Sequence, residues 1–157
     1  MPVMEAVSYR RATTSDIPSL VELRAAFLAE ATGADASDPV LLEAIERYFS
    51  AAIPGGDFIS YLAVAGDRVI ATSGLVYHRH APSAKNLSGV ELYFMNMYTR
   101  PEWRGRGIAA ALLDKLVAFA REANCYRIRL HTYPKAVRLY ARAGFVLAGD
   151  EMKLDLK

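Results

Sequence analysis

The stretch from Glu91 to Glu122 constrains the fold of this 157-residue chain more than any other. Glu91 to Thr99, rich in Tyr, Phe and Met, predicts a strand, and Arg100-Pro-Glu-Trp-Arg104 carries it into Gly105-Arg-Gly107. From about Ile108 to Glu122 the pattern predicts a helix whose polar residues are confined to Asp114, Lys115, Arg121 and Glu122. So narrow a polar stripe requires packing on most sides. Tyr126 to Thr132 then predicts another strand, and Pro134 opens a short helix with Ala136, Leu139, Tyr140 and Ala143 on its inner face, ended by Gly144. A strand, helix, strand order demands a parallel crossover. Upstream, Phe58 to Ala65 and Val69 to Tyr77 flank Gly66-Asp67 as an antiparallel hairpin. The sheet must be mixed, and the class is α/β or α+β, a mixed and mostly antiparallel sheet flanked by helices.

The remaining elements fit around that sheet. Val7 to Ala12 predicts a short strand, and Thr13 caps a helix start with Asp16 at its third position. Ile17, Leu20, Val21, Phe27 and Leu28 recur at helical spacing up to Thr32-Gly33. Asp38-Pro39, a cap followed by a first-turn proline, opens a second helix with Leu41, Ala44, Ile45, Tyr48 and Phe49 on its apolar stripe. Ala81 to Gly89 predicts a polar loop, and Phe145 to Leu147 and Met152 to Leu156 predict two closing strands. One domain over residues 1–157 is expected, since the 53% apolar composition supports a core without disulfides or a structural metal.

A single cysteine, Cys125, allows no intramolecular bridge and suits a reducing cytoplasm. No basic stretch precedes an apolar one in Met1 to Arg11, and no apolar run approaches the roughly 20 residues of a membrane span. A soluble cytoplasmic chain with no membrane partner is expected. The net charge of +2 gives no argument for nucleic acid, yet it is unevenly distributed. Residues 100–143 carry ten basic and three acidic side chains, while the rest carries nine basic and fourteen acidic. That asymmetry fits one part handling an anion and another tolerating a cation, or charged faces that happen to cluster.

The chemistry concentrates at Arg104-Gly-Arg-Gly-Ile-Ala109. Glycines at a strand-to-helix junction let the backbone approach a ligand, and the first helical amides point unpaired N–H groups outward. With flanking arginines this forms an anion cradle suited to a diphosphate. The spacing Gly105-x-Gly107-x-x-Ala110 formally matches a dinucleotide fingerprint, but Pro101-Glu-Trp-Arg104 intervenes before the first glycine, and the next strand ends in Arg129-Leu-His-Thr132 with no carboxylate for a ribose. A phosphate-binding P-loop is excluded because no Gly-Lys-Ser/Thr follows.

At these residues the sequence resembles the GNAT superfamily of acetyl-CoA-dependent N-acetyltransferases. The resemblance rests on the strand Tyr93 to Thr99 followed by Pro101, on Arg104-x-x-Gly107-x-Ala109, and on Ala136-Val-Arg-Leu-Tyr140-Ala-Arg-Ala-Gly144-Phe145. It implies a single-domain GNAT fold and acetyl transfer from acetyl-CoA, as co-substrate, to a small-molecule or peptide amine. Backbone groups over Met97, Tyr98 and Thr99 would pair with the pantetheine arm. Arg104, Gly105, Arg106, Gly107, Ile108, Ala109 and Ala110 would hold the pyrophosphate. Tyr140 would donate a proton to the departing thiolate, as a tyrosine with an ordinary pKa of about 10 can. A backbone N–H near Met97 could stabilise the oxyanion. One position departs from the pattern: Tyr133-Pro134 stands where many relatives carry a cofactor-contacting asparagine.

Glu91 shares strand parity with Tyr93, Met95 and Met97 unless a bulge intervenes, which makes it the first choice of general base, with a water chain as the other route. His78, His80 and His131 offer a three-histidine metal site only on paper; hydrogen-bonded or surface histidines are the expectation, with no metal. Cys125, remote from the cradle, reads as a small buried residue, so direct transfer in a ternary complex is expected over an acyl-cysteine. Trp103 reads as a loop anchor. A non-catalytic acyl-CoA-binding regulatory module is the rival reading, and Tyr140 argues against it. No motif encodes the acceptor or distinguishes a monomer from a homodimer.

Overall fold

The computed structural model describes residues 5–157; Met1 to Met4, part of the N-terminal stretch read above, lie outside it. Strand β1 is Val7–Arg11 and helix α1 is Ile17–Thr32, entered through a 3-10 turn at Thr14–Asp16. The Asp16 carboxylate accepts the Thr13 backbone N–H at 2.8 Å and two Arg10 N–H groups at 2.7 and 2.8 Å. These bonds hold Asp16 below the usual carboxylate range, the Arg10 guanidinium contributing most. Helix α2, Pro39–Ala52, begins as its cap residues predict, with Asp38 accepting the Val40 N–H at 2.9 Å.

Six strands form one sheet. After α2 come β2 (Phe58–Ile59), β3 (Tyr61–Ala65), β4 (Arg68–Arg79) and β5 (Val90–Thr99); then α3 (Ile108–Glu122), β6 (Ile128–Leu130) and α4 (Val137–Arg142). The strand order is β1-β3-β4-β5-β6, with β2 also pairing β4. Only β5 with β6 is parallel. The sheet is thus mixed and mostly antiparallel, as the crossover and hairpin require. Helices α1 and α2 pack on one face through Leu20, Leu23, Ile45 and Phe49 against Phe58, Leu62 and Tyr98. Helices α3 and α4 cover the other through Leu113, Leu116 and Tyr140 against Leu75, Leu92 and Phe94. Covered on both faces, β4 is buried at every position from Val69 to Leu75. Among the described residues no helix is long and apolar enough to cross a membrane.

Two features depart from the sequence expectation. Phe145 to Leu147 and Met152 to Leu156 form no strands; Val146, Leu147, Met152, Leu154 and Leu156 are all more than four-fifths exposed. Alternation alone makes no strand without a neighbouring edge long enough to pair with, and the edge strand β6 is only three residues long. The second departure lies within β5. Ala71 and Thr72 pair with Thr99 and Tyr98, but Gly74 pairs with Met95, so β5 carries one residue more than β4 across the step. This is a β-bulge, and Asn96 within it has φ +61°. Side-chain parity therefore switches. Met95 packs with the α1/α2 cluster and Met97 with the α3 side, so Glu91 does not share a face with Met97.

Gly74 makes the bulge sterically possible. A Cβ there would lie 2.5 Å from the Phe58 ring and 3.2 Å from the Met95 carbonyl oxygen. Gly74→Ala is expected to destabilise the fold by about 1–3 kcal/mol, the usual range for overpacking, measured by urea denaturation. Combining it with Phe58→Leu should recover part of that loss; an unchanged midpoint for the single variant would contradict the contact.

Candidate active site

Strands β5 and β6 pair only at Leu92, Tyr93 and Phe94 with Ile128, Arg129 and Leu130. Beyond that point the chains part. The wedge between them opens into a cavity of about 1170 Å³ walled by β5 from Tyr93 to Thr99, by His131 to Ala136, and by parts of α1, α3 and α4. The edge of β5 beyond Phe94 has no β6 partner, so its backbone donors and acceptors face the cavity.

At one end of the wedge stands the glycine junction. Gly105 and Gly107 have φ of +74° and +76°, and a Cβ on either would meet nothing within 4 Å. Open space beside left-handed glycines is a cradle that side chains would fill. The Ala111 N–H bonds to the Gly107 carbonyl, leaving the amides of Ile108, Ala109 and Ala110 without that helical partner. Arg104 is fixed by bonds to the Thr99 carbonyl at 2.9 Å and to Glu30 at 2.6 Å. The residues present fit a diphosphate. Of the residues expected there, Arg104, Gly105, Gly107, Ile108, Ala109 and Ala110 line the cavity, as do Met97, Tyr98 and Thr99. Arg106 does not; its guanidinium lies 4.7 Å from the centroid of Trp103 and bonds to the Glu102 carbonyl at 3.1 Å. Tyr133 lines the cavity and is half-exposed.

Tyr140 reaches the cavity from α4, packed edge-on against Phe94 and Phe145 at centroid distances of 5.7 and 5.9 Å. Burial pushes its pKa above the ordinary phenol value, and its hydroxyl makes no hydrogen bond among the described residues. It is a protonated, uncommitted donor. Glu91 is placed differently from its expected role. It does not line the cavity but is buried beneath Arg129 at 2.8 Å and Arg127 at 3.8 Å, with His80 at 4.0 Å.

Sequence reasoning missed a hydrogen-bonded chain at the opposite wall. The Tyr93 hydroxyl bonds to His131 Nδ1, and His131 Nε2 bonds to Glu151 at 2.7 Å. Tyr93 and His131 both line the cavity, and the His78 ring stacks on Tyr93. The register Tyr93↔Arg129 places His131 two residues beyond, on the same face. Nothing in the spacing singles out Glu151. The three histidines do not converge: among the described residues no group of three or more His, Cys, Asp or Glu is arranged to hold a metal. Cys125 lies outside the cavity, its thiol pKa raised by burial.

Comparison with known proteins places this geometry. A predicted acetyltransferase from Clostridium acetobutylicum, solved with acetyl-CoA, superposes with a TM-score of 0.87 at 30% identity, covering 96% of this chain and 97% of that one. A probable glucosamine 6-phosphate N-acetyltransferase 2 of Oryza sativa subsp. japonica is 39% identical over 32% of this chain and 31% of its own length. The glucosamine 6-phosphate N-acetyltransferase of Trypanosoma brucei brucei is 26% identical over 49% of this chain and 62% of its own. The matches thus span about a third of one curated relative and less than two-thirds of the other. Residues 21–145 match the acetyltransferase (GNAT) family, and the chain belongs to that family.

Proposed function

We propose that this acetyltransferase moves the acetyl group of acetyl-CoA directly to a primary amine, with both substrates held in the one cavity. The observation that carries this reading is Tyr140, a buried residue whose hydroxyl has no partner among the described residues and which lines the same cavity as the glycine cradle. Bound acetyl-CoA supplies a thioester, whose acyl carbon accepts the amine and whose sulfur departs. The unpaired edge of β5 would receive the pantetheine arm. The amides of Gly105 to Ala110 and the Arg104 guanidinium would hold the pyrophosphate. At the bulge, the Met97 N–H is the candidate donor to the developing oxyanion. Tyr140 would protonate the departing sulfur, a task its raised pKa suits because the phenol stays neutral at physiological pH.

The amine's proton needs an acceptor, and Glu91 stands outside the cavity. We assign the role to Tyr93 with His131. With Glu151 accepting from Nε2–H, Nδ1 is left as the acceptor for the Tyr93 hydroxyl, so a proton taken by the tyrosine oxygen passes its own to the ring. The named substrate of the two curated relatives supports a small amine over a protein lysine. One cysteine without a partner supports a reducing cytoplasm as the setting.

Four variants test the reading by thiol release and calorimetry. Gly107→Glu puts bulk, charge and an unfavourable φ into the cradle, and CoA binding should be lost in a protein that still folds; unchanged affinity would sink the cradle. Tyr140→Phe keeps the ring packing, so CoA affinity and melting temperature should hold while kcat falls by about 10²-fold or more. Wild-type turnover, with chemistry limiting, would leave Tyr140 a core aromatic. His131→Gln should lower kcat by a similar factor of about 10² while CoA affinity holds. Glu91→Gln should instead lower the melting temperature and spare kcat; the opposite pattern would restore Glu91 as the base.

A further inference from the structure

Helix α1 carries three charged residues in and beside the cavity wall, and two of them are committed elsewhere. Glu22 bonds to Arg100 at 2.8 Å and Glu30 to Arg104 at 2.6 Å. Arg24 is different. It lines the cavity, half-buried, and among the described residues no carboxylate lies within ion-pair distance of it. Its guanidinium sits 5.3 Å from the Phe27 centroid. Burial lowers its pKa, opposed only by the Tyr48 phenol. The other arginines at the edges of the sheet contrast with it: Arg10, Arg100, Arg104 and Arg129 each hold a carboxylate at 2.8 Å or less.

A half-buried guanidinium without a counter-charge is unfavourable unless an anion completes it. That anion is not the cofactor's pyrophosphate. Arg24 lies six residues, or about 9 Å along the helix axis, from Glu30, the residue that clamps Arg104 at the cradle. An oxyanion at Arg24 therefore belongs to the other substrate. Its neighbours Phe27 and Tyr48 carry no formal charge at neutral pH, and its planar fork can grip two oxygens.

We propose that Arg24 is an acceptor-recognition residue that binds a phosphate or carboxylate carried by the amine substrate. The inference rests on the acetyl-transfer reading and adds a substrate class to it: an anionic small amine. The amine approaches the thioester from the Tyr93–His131 side of the wedge while Arg24 holds the acidic group. The positive charge is what matters, so lysine at this position should keep part of the preference and glutamine none.

The experiment uses the full chain with CoA saturating, so that the cradle is already filled. Inorganic phosphate and acetate are titrated calorimetrically into wild type, Arg24→Gln and Arg24→Lys. We expect one or both anions to bind wild type and, at least tenfold more weakly, Arg24→Gln, with Arg24→Lys between them; which anion binds distinguishes phosphate from carboxylate. In turnover, glucosamine 6-phosphate is compared with glucosamine, and glycine with glycinamide. The anionic member of a pair should have the higher kcat/KM, and Arg24→Gln should abolish the difference through KM while CoA affinity and melting temperature hold. Equal anion binding by wild type and Arg24→Gln, or no anion binding by wild type, overturns the assignment, as does a melting temperature that falls with no change in anion preference. Loss of CoA binding in the wild type would instead defeat the acetyl-transfer reading itself.

Discussion

From Met95 to Thr99, strand β5 has a neighbour on one side only. Its antiparallel partner β4 continues alongside, but β6 pairs for three residues and then turns away into the loop before α4. A run of backbone donors and acceptors at the centre of a folded sheet must be satisfied by something, because buried unpaired peptide groups each cost on the order of 1–3 kcal/mol. The fold leaves them facing a large cavity. A ligand bearing amide groups of its own satisfies them as a strand would, and that is the physical sense in which an arm such as pantetheine suits this wedge. The bulge at Asn96 sharpens the demand. Both polar atoms of the Asn96 side chain are buried without a partner, and its backbone occupies a left-handed conformation uncommon outside glycine.

Charge pairing then fixes the walls of the wedge. Glu22 to Arg100 and Glu30 to Arg104 tie α1 at two points, two turns apart, to the chain leaving β5. Arg100 also donates to the Val69 carbonyl at 3.0 Å and Arg104 to the Thr99 carbonyl, so each guanidinium joins a helix to a strand. Exposed ion pairs contribute little singly, but a guanidinium that also bonds to main chain sets geometry as well as charge. The pairing of Arg104 with Glu30 bears on the cradle too. It raises the Arg104 pKa and keeps one arginine oriented before any phosphate arrives, while Arg106, stacked on Trp103, is held away from the lining.

How far the sequence reveals this depends on the range of the interaction. The helix starts at Asp16 and Asp38, the Gly66-Asp67 turn and the glycine junction are local, and each is visible as a short run of residue types with its own backbone requirement. Tyr140 was visible because helical period separates it from Lys135, Arg138 and Arg142. The bulge is not local: it arises because Gly74 on the neighbouring strand admits the Phe58 ring, a relation between residues far apart in the chain. A single inserted position reverses every side-chain assignment beyond it, which is why Glu91 read as sharing a face with Met97. The closing strands were misread for a related reason, since an alternating pattern specifies a face but not a partner.

Glu91 lies outside the cavity lining and takes up a position in the sheet instead. It lies one residue before Leu92 pairs with Ile128, the first of the three parallel rungs, and it grips the Arg129 side chain of the middle rung at 2.8 Å, with Arg127 beside it. Three rungs of parallel ladder are too few to hold an edge strand firmly against solvent. The ion pair from Glu91 to Arg129 crosses both strands and reinforces this short ladder. Neutralising Glu91 would leave two half-exposed arginines without their shared counter-charge, a loss that solvent screening moderates. The carboxylate thus stands at the closed end of a ladder whose far end opens into the cavity, outside the lining that Tyr93, His131 and Tyr140 share.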